Sequence, residues 1–204
     1  MEWLIVGLVG FCFSFLGSIP PGAINISVIQ LSVQGNFAAA FRFALASAIV
    51  EYPYALIAVK FEGLITSSPF IVDNFHLISA SVMLLLGIVN LWSSARPSEL
   101  SRKFSQSGFR KGVLISLLNP LAIPFWIGVT AFLKSKEWLV FNDNGSMFTY
   151  VAGISLGTFS LLMLLALLAK KISRHLNKGP LIAKIPGFVF LALGIYALVE
   201  YFLK

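Results

Sequence analysis

The sequence has 204 residues, of which 58% are hydrophobic and 11% are charged, and its mean hydropathy is +0.90. This composition is unlike that of soluble domains and predicts an integral membrane protein. The formal charge of +7 does not indicate a nucleic-acid partner, because the basic residues fall in short loops between apolar segments. The single cysteine, Cys12, allows neither a disulfide within the chain nor a cysteine metal cluster, and we expect no metal or cofactor.

Six apolar segments follow one another along the chain, each close to the length of about 20 residues that crosses a bilayer. The linkers are short, so we expect a single transmembrane domain over residues 1–204. Glu2 lies where a cleaved signal peptide would be basic, so the first segment is expected to remain. The predicted spans are Trp3–Ser32, Phe37–Val59, Ile71–Trp92, Gly112–Leu133, Met147–Ala169 and Ala183–Leu203.

The first span is interrupted by the sequence SIPPGAIN, from Ser18 to Asn25. Pro20 and Pro21 remove two backbone donors, and Gly22 loosens the chain further. Broken backbone is tolerated in a membrane only where it is buried in protein or lines a wet cavity. The helix that starts near Gly22 would direct free N–H groups into this gap, which suits a carboxylate, and Asn25 would add amide donors and acceptors. A proline kink that only shapes packing is the alternative.

The second span carries Glu51 at the centre of the apolar stretch Phe43–Val59. A charge at that depth costs at least about 3 kcal/mol on insertion scales, so we expect it to face the interior as the only carboxylate deep in any span. Tyr54, one turn further on, would hydrogen-bond the site. The alternative is a structural carboxyl group bonded across helices. Small residues on the same side predict the close approach of another helix: Ala40, Ala44, Ser47, Ala48, Ala55 and Ala58.

The fourth span contains a second break, at Asn119-Pro120. The pattern P-x-A-I occurs at both breaks, at residues 21–24 and 120–123. A tandem repeat of three spans must invert its second copy, so we expect two inverted repeats whose broken helices meet near the midplane, the usual substrate site of secondary transporters. Repeat one covers about 1–92 and repeat two about 112–204, joined by a basic loop at 93–111. Trp126 would wall the cavity, with core packing as its alternative role.

Basic residues are concentrated on one side of the predicted membrane topology. That side holds eleven of the 15 Lys and Arg residues, and the opposite side holds four. The positive-inside rule therefore places the loops 93–111 and 170–184 in the cytoplasm and both termini outside. The four are Lys60, Lys134, Lys136 and Lys204.

Residues 109–120 read FRKGVLISLLNP, a basic loop followed by the pattern F-x-x-G-x-x-x-x-x-x-N-P. Together with the Pro-Gly of the first break, the acid in the second span and Leu-Gly-Ile in spans three and six, this resembles the LysE family of amino-acid exporters over nearly the whole chain. The resemblance implies export from the cytoplasm, driven by the membrane potential or a proton gradient. Many members have Pro-Gly-Pro where this chain has Pro21-Gly22-Ala23, and Gly-Asp near Glu51, so the substrate is not carried over.

We therefore expect an all-α transporter of the bacterial inner membrane that works by alternating access and is not an enzyme. Its partners would be an amino acid, protons and the lipid bilayer, and association into a homo-oligomer is compatible with the sequence. Glu51, with Tyr54, would hold the ammonium group or exchange it for a proton. The remaining substrate-binding residues would be Pro21, Gly22, Ala23, Asn25, Asn119, Pro120 and Trp126.

Two other classes of membrane protein have similar patterns. An exporter of cations or heavy metals is the closer alternative, but it would require several carboxylate, His or Cys ligands within the spans, where Glu51 is the one predicted. A thiol–disulfide carrier would require a cysteine pair, which Cys12 alone does not supply.

Overall fold

The computed structural model describes residues 2–19, 22–66, 108–119 and 122–176, with single residues between 77 and 91 and between 188 and 202. The third predicted span, the sixth, most of the loop 93–111 and the two predicted site residues Pro21 and Pro120 lie outside these continuous ranges. Within them the chain forms six helices and no strand. The helices are α1 (Glu2–Gly17), α2 (Ala23–Val33), α3 (Phe37–Thr66), α4 (Gly108–Leu117), α5 (Ala122–Ser135) and α6 (Asn144–Leu176).

Two of these helices are long and apolar enough to cross a bilayer by themselves. They are α3, over Phe37–Leu64, and α6, over Asn144–Ala169, with mean hydropathies of 1.4 and 2.2. Helices α4 and α5 qualify together as a third span, bent by 66°. Helices α1 and α2 are apolar but have 16 and 11 residues, and one such helix is too short to cross. The described ranges are therefore those of an all-helical, multi-pass membrane protein.

The helices are interrupted at the two breaks that the prolines in the sequence predicted. Helix α1 ends at Gly17 and α2 begins at Ala23, with Gly22 as an extended N-cap residue at φ −118° and ψ −177°. Helix α4 ends at Leu117 and α5 begins at Ala122. Each proline lacks the N–H that would continue the hydrogen-bond ladder and disfavours helical geometry in the residue before it.

Close helix contacts are made at glycines. A Cβ atom on Gly153 of α6 would overlap the carbonyl oxygen of Gly7 in α1, and one on Gly157 would overlap that of Phe11. The Gly153-x-x-x-Gly157 motif therefore serves a contact within the chain, between α1 and α6. Helix α4 approaches α3 in the same way, since a Cβ atom on Gly112 would lie 2.6 Å from the carbonyl oxygen of Phe43.

Buried apolar side chains form two clusters, one toward each end of the antiparallel helices α3 and α6. One cluster includes Ala58 of α3 and Tyr150 of α6. The other includes Ala40 of α3 and Ala166 of α6. The central turns of both helices lie between the two clusters, and Glu51 is residue 15 of the 30 in α3. This central level contains the polar groups of the candidate site.

Candidate functional site

The first break is bridged by an asparagine. Asn25 Nδ2 donates a hydrogen bond of 2.7 Å to the carbonyl oxygen of Ser18, across the gap between α1 and α2. Gly22, the N-cap residue, supplies no side-chain hydrogen bond to the N-terminus of α2, and a Cβ atom built on it would find no described atom within 4 Å. The first-turn N–H groups of a helix have no partner within that helix. The α2 N-terminus therefore carries backbone donors and the positive end of the helix dipole at the first break.

The second break is held by a tyrosine of α3. Tyr54 Oη donates a 2.8 Å hydrogen bond to the carbonyl oxygen of Leu117, the last residue of α4. The backbone N–H of Asn119 donates to the carbonyl oxygen of Ser116 at 3.1 Å. Tyr54 thus satisfies one of the carbonyls that a helix C-terminus leaves without an internal partner. The hydrogen bond expected of Tyr54 is made to the backbone of the break.

The end of α1 lies against the start of α5. Gly17, at the end of α1, contacts the ring of Phe125 in the first turn of α5, since a Cβ atom on Gly17 would lie 2.6 Å from Phe125 Cζ. The rings of Phe125 and Trp126 pack edge to face with their centroids 5.0 Å apart. The first half of one broken helix therefore contacts the second half of the other.

The central carboxylate is bonded directly to Trp126. Trp126 Nε1 donates to Glu51 Oε1 at 2.5 Å, and the tryptophan is 1% exposed. Trp126 therefore packs in the core and also forms part of the polar site. A carboxylate can accept about four hydrogen bonds, and within the described residues Trp126 is the partner shown for Glu51. The remaining lone pairs can accept a proton or an ammonium group.

The small residues predicted around Glu51 are buried. Ala40, Ala44, Ala55 and Ala58 are fully buried, as is Ser47, and Ala48 is 5% exposed. They permit close packing: Ser155 of α6 donates its hydroxyl to the carbonyl oxygen of Ala48 at 2.5 Å.

Two buried hydroxyl groups near Glu51 have no hydrogen-bond partner within the described residues, those of Ser47 and Ser116. Helices α3 and α4 run parallel, with Gly108 against Ala39 and Gly112 against Phe43. The same offset places Ser116 opposite Ser47, one turn before Glu51. Each unsatisfied buried hydroxyl costs about 1–3 kcal/mol. This level of the bundle therefore carries polar groups on both α3 and α4 that would gain from a hydrogen-bond partner. Ser47 was predicted as part of the small-residue packing face of α3, and Ser116 was not among the predicted site residues.

A second acid of α3, Glu62, is more deeply buried within the protein than Glu51, which is half-buried. Glu62 is 2% exposed, and Lys134 Nζ lies 2.5 Å from its Oε2. The second span was predicted to end at Val59, whereas α3 continues to Thr66. Lys134 of α5 balances the charge of this acid. Its position eleven residues after Glu51, three turns along one face, is the sequence signal that would have identified it.

Within the described ranges, no group of three or more His, Cys, Asp or Glu side chains lies close enough to hold a metal ion.

Residues 15–201 match the family model of the LysE type translocator. The chain belongs to the LysE translocator family. It is 26% identical over 185 residues, 88% of each chain, to the putative amino acid efflux protein YcgF of Bacillus subtilis. It is also 25% identical over 126 residues, 60% of this chain and 62% of the relative, to the chemotactic transduction protein ChpE of Pseudomonas aeruginosa. No solved structure matches the chain.

Membership in this family confirms the resemblance found in the sequence. The chain is a translocator that acts on small molecules in a membrane, and it is not an enzyme. The family match extends across the third and sixth predicted spans.

Proposed function

We propose that this translocator exports amino acids, or close derivatives of them, from the cytoplasm across the bacterial inner membrane. The efflux protein named for Bacillus subtilis, aligned over 88% of both chains, supports this substrate class. Transport would follow alternating access, driven by a proton gradient or the membrane potential. The structural observation that carries the proposal is the hydrogen bond between Trp126 and Glu51 at the level of the two helix breaks.

The substrate carboxylate would bind at the broken ends. The N-terminus of α2, at Gly22 and Ala23, has no side-chain cap from Gly22 and would offer backbone donors to an anion. Asn25 and Asn119 would add amide groups at the two breaks, and Trp126 would form one wall. Pro21 and Pro120 would keep the breaks open by preventing a continuous helix.

Glu51 would bind the substrate ammonium group and exchange it for a proton. Both species require the same carboxylate, so they compete for it, and this competition is sufficient to couple the two fluxes. Trp126 would orient the carboxylate through Nε1 and leave its other lone pairs for the substrate. Tyr54 would act through the second break, because its hydroxyl bonds to Leu117.

An inverted repeat would explain the reciprocal packing of the broken helices. Helix α1, from the first predicted span, packs along α6 of the fifth, and α4, from the fourth, packs along α3 of the second. Both contacts are made at glycines. Repeat one would cover about 1–92 and repeat two about 112–204, with the basic loop 93–111 between them.

Both termini would lie outside the cell. Glu2 Oε2 accepts a hydrogen bond from Asn142 Nδ2 at 2.9 Å, so the start of α1 lies beside the loop that precedes α6. The Glu62–Lys134 pair joins the ends of α3 and α5. The excess of Lys and Arg in the loops between the other helix ends supports a cytoplasmic position for those loops.

The test is the amino-acid profile, inside and outside, of cells that express the wild type or Glu51→Gln and are loaded with mixed dipeptides to raise cytoplasmic pools. We expect one or a few amino acids to leave faster with the wild type and not with the variant. Glu137→Gln, which removes an exposed carboxylate, is the matched control and should export normally.

Insertion of each variant is checked by quantifying the protein in isolated membranes. Normal efflux by well-inserted Glu51→Gln would reject the role of the carboxylate. An unchanged profile with the inserted wild type would reject amino acids as the substrate class, and metal-tolerance assays would then test the cation exporter.

A further inference from the structure

Glu62 lies on the same face of α3 as Glu51 but closer to the end of the bundle. Eleven residues separate them, about 16 Å along the helix axis. With Glu51 at the centre of a hydrocarbon core of about 30 Å, Glu62 would lie near its boundary. Its partner Lys134 has a side chain that is 33% exposed, whereas that of Glu62 is 2% exposed. The pair therefore lies between the buried interior and solvent.

Helix α5 presents polar side chains along the same line. Trp126, Thr130 and Lys134 follow at intervals of one turn, and the first and last of them bond to the carboxylates of α3. Between them Thr130 Oγ1 lies 3.4 Å from Tyr150 Oη, and both residues are fully buried. These polar residues of α5 thus lie at successive turns between the level of Glu51 and that of the Glu62–Lys134 pair.

The Lys134 ammonium group lies close enough to solvent to move away from Glu62. Its Nζ lies 5.2 Å from the centroid of the Phe141 ring, in addition to its contact with Glu62. An ammonium on a flexible four-carbon stem is strongly hydrated and can turn outward to water. Lys134 also carries the chemical group that an amino acid carries at its amino end. Glu62 therefore binds, in this conformation, a primary ammonium of the kind that a departing substrate would present.

We propose that Glu62 is a second ammonium-binding residue on the export path, occupied by Lys134 until a substrate replaces it. This inference rests on the proposed function. In the closed conformation the ion pair holds α3 against α5 at the outer end. A substrate that leaves Glu51 displaces Lys134 from Glu62, the lysine turns to solvent, and the contact between the two helices opens. The same competition operates on substrate that enters from outside.

The test uses right-side-out membrane vesicles preloaded with an unlabelled mixture of the proteinogenic amino acids. Exchange for the same mixture, radiolabelled and added outside, is measured against its external concentration. Glu62→Gln weakens the site and Lys134→Gln removes the competitor while keeping a donor for Glu62. We expect the external half-saturation concentration to rise in the first and fall in the second by about three- to tenfold, the range for a partly buried ion pair.

The opposite directions distinguish this role from a structural one. A pair that only stabilises the fold predicts that both variants shift the half-saturation concentration the same way, or leave it unchanged and lower thermal stability; either result would overturn the inference. Lys134→Arg keeps the charge and can bind a carboxylate with two donors, so it should raise the external half-saturation concentration. This variant replaces Lys134→Gln in the test if Lys134→Gln does not insert. The exposed neighbours supply the controls Lys136→Gln and Glu137→Gln, which should match the wild type. Absence of exchange by the inserted wild type would instead reject the proposed function.

Discussion

Replacement of Gly153 by alanine is expected to destabilise the protein by separating α1 from α6. The new Cβ atom would overlap the carbonyl oxygen of Gly7 and lie 2.9 Å from its carbonyl carbon and 3.1 Å from the backbone nitrogen of Phe11. All three atoms belong to the backbone, so no side chain can rotate away and the helices must move apart. Overpacking of this kind costs about 1–3 kcal/mol, and the better helix propensity of alanine offsets up to about 1 kcal/mol.

At the upper end of the overpacking cost, the expected net loss in the free energy of unfolding is therefore about 2 kcal/mol. For a chain of this size, that loss lowers Tm by about 4–8 °C. The assay is thermal unfolding of the purified protein in detergent. Gly128→Ala in α5 is the matched control, because a Cβ atom there would have no described atom within 4 Å. It should leave Tm unchanged or raise it slightly. A Tm for Gly153→Ala equal to or above that of Gly128→Ala would refute the close approach of α1 and α6.

Two further substitutions test the polar contacts between the helices. Trp126→Phe keeps an aromatic ring but removes the Nε1 donor, and because a hydrogen bond to a charged group contributes about 1.5–3 kcal/mol, we expect efflux to slow by about ten- to hundredfold. Unchanged efflux would contradict the orienting role of this tryptophan, and the exposed Trp138→Phe is its control. Tyr54→Phe removes the hydrogen bond to the Leu117 carbonyl, worth about 1 kcal/mol, and should lower Tm by about 2–4 °C. Tyr52→Phe should not; equal melting of the two variants would mean that the bond does not stabilise the second break.

Local chemistry explains which parts of the fold were predictable from the sequence. Proline prevents a helix from continuing whatever surrounds it, so the ends of α1 at Gly17 and of α4 at Leu117 follow from the sequence itself. Burial of the small residues around Glu51 follows from helical periodicity, because one apolar face must meet another helix. The inverted repeat and the sites at the breaks remain predictions.

Contacts between distant segments were not predictable in the same way. The sequence predicted Glu51 as the acid of the site and Trp126 as a wall of the cavity. Their hydrogen bond was not predictable, because it joins residues 75 positions apart and depends on the angle between α3 and α5. Glu62 lies beyond Val59, where the second span was predicted to end, and was not among the predicted site residues. Its ion pair with Lys134 joins residues 72 positions apart.

The two carboxylates of α3 differ in how their charge is balanced, and this difference suits different steps of transport. At Glu51 a charge at membrane depth costs at least about 3 kcal/mol on insertion scales. The neutral N–H donor of Trp126, whose bond to a charged group contributes about 1.5–3 kcal/mol, offsets at most that minimum, and under the proposed function a proton or an ammonium group would offset the rest. Glu62 is already paired with a full positive charge from Lys134, and a substrate there must displace a cation. Under the proposed function, Glu51 would therefore select the substrate and couple its export to protons, and Glu62 would control its release.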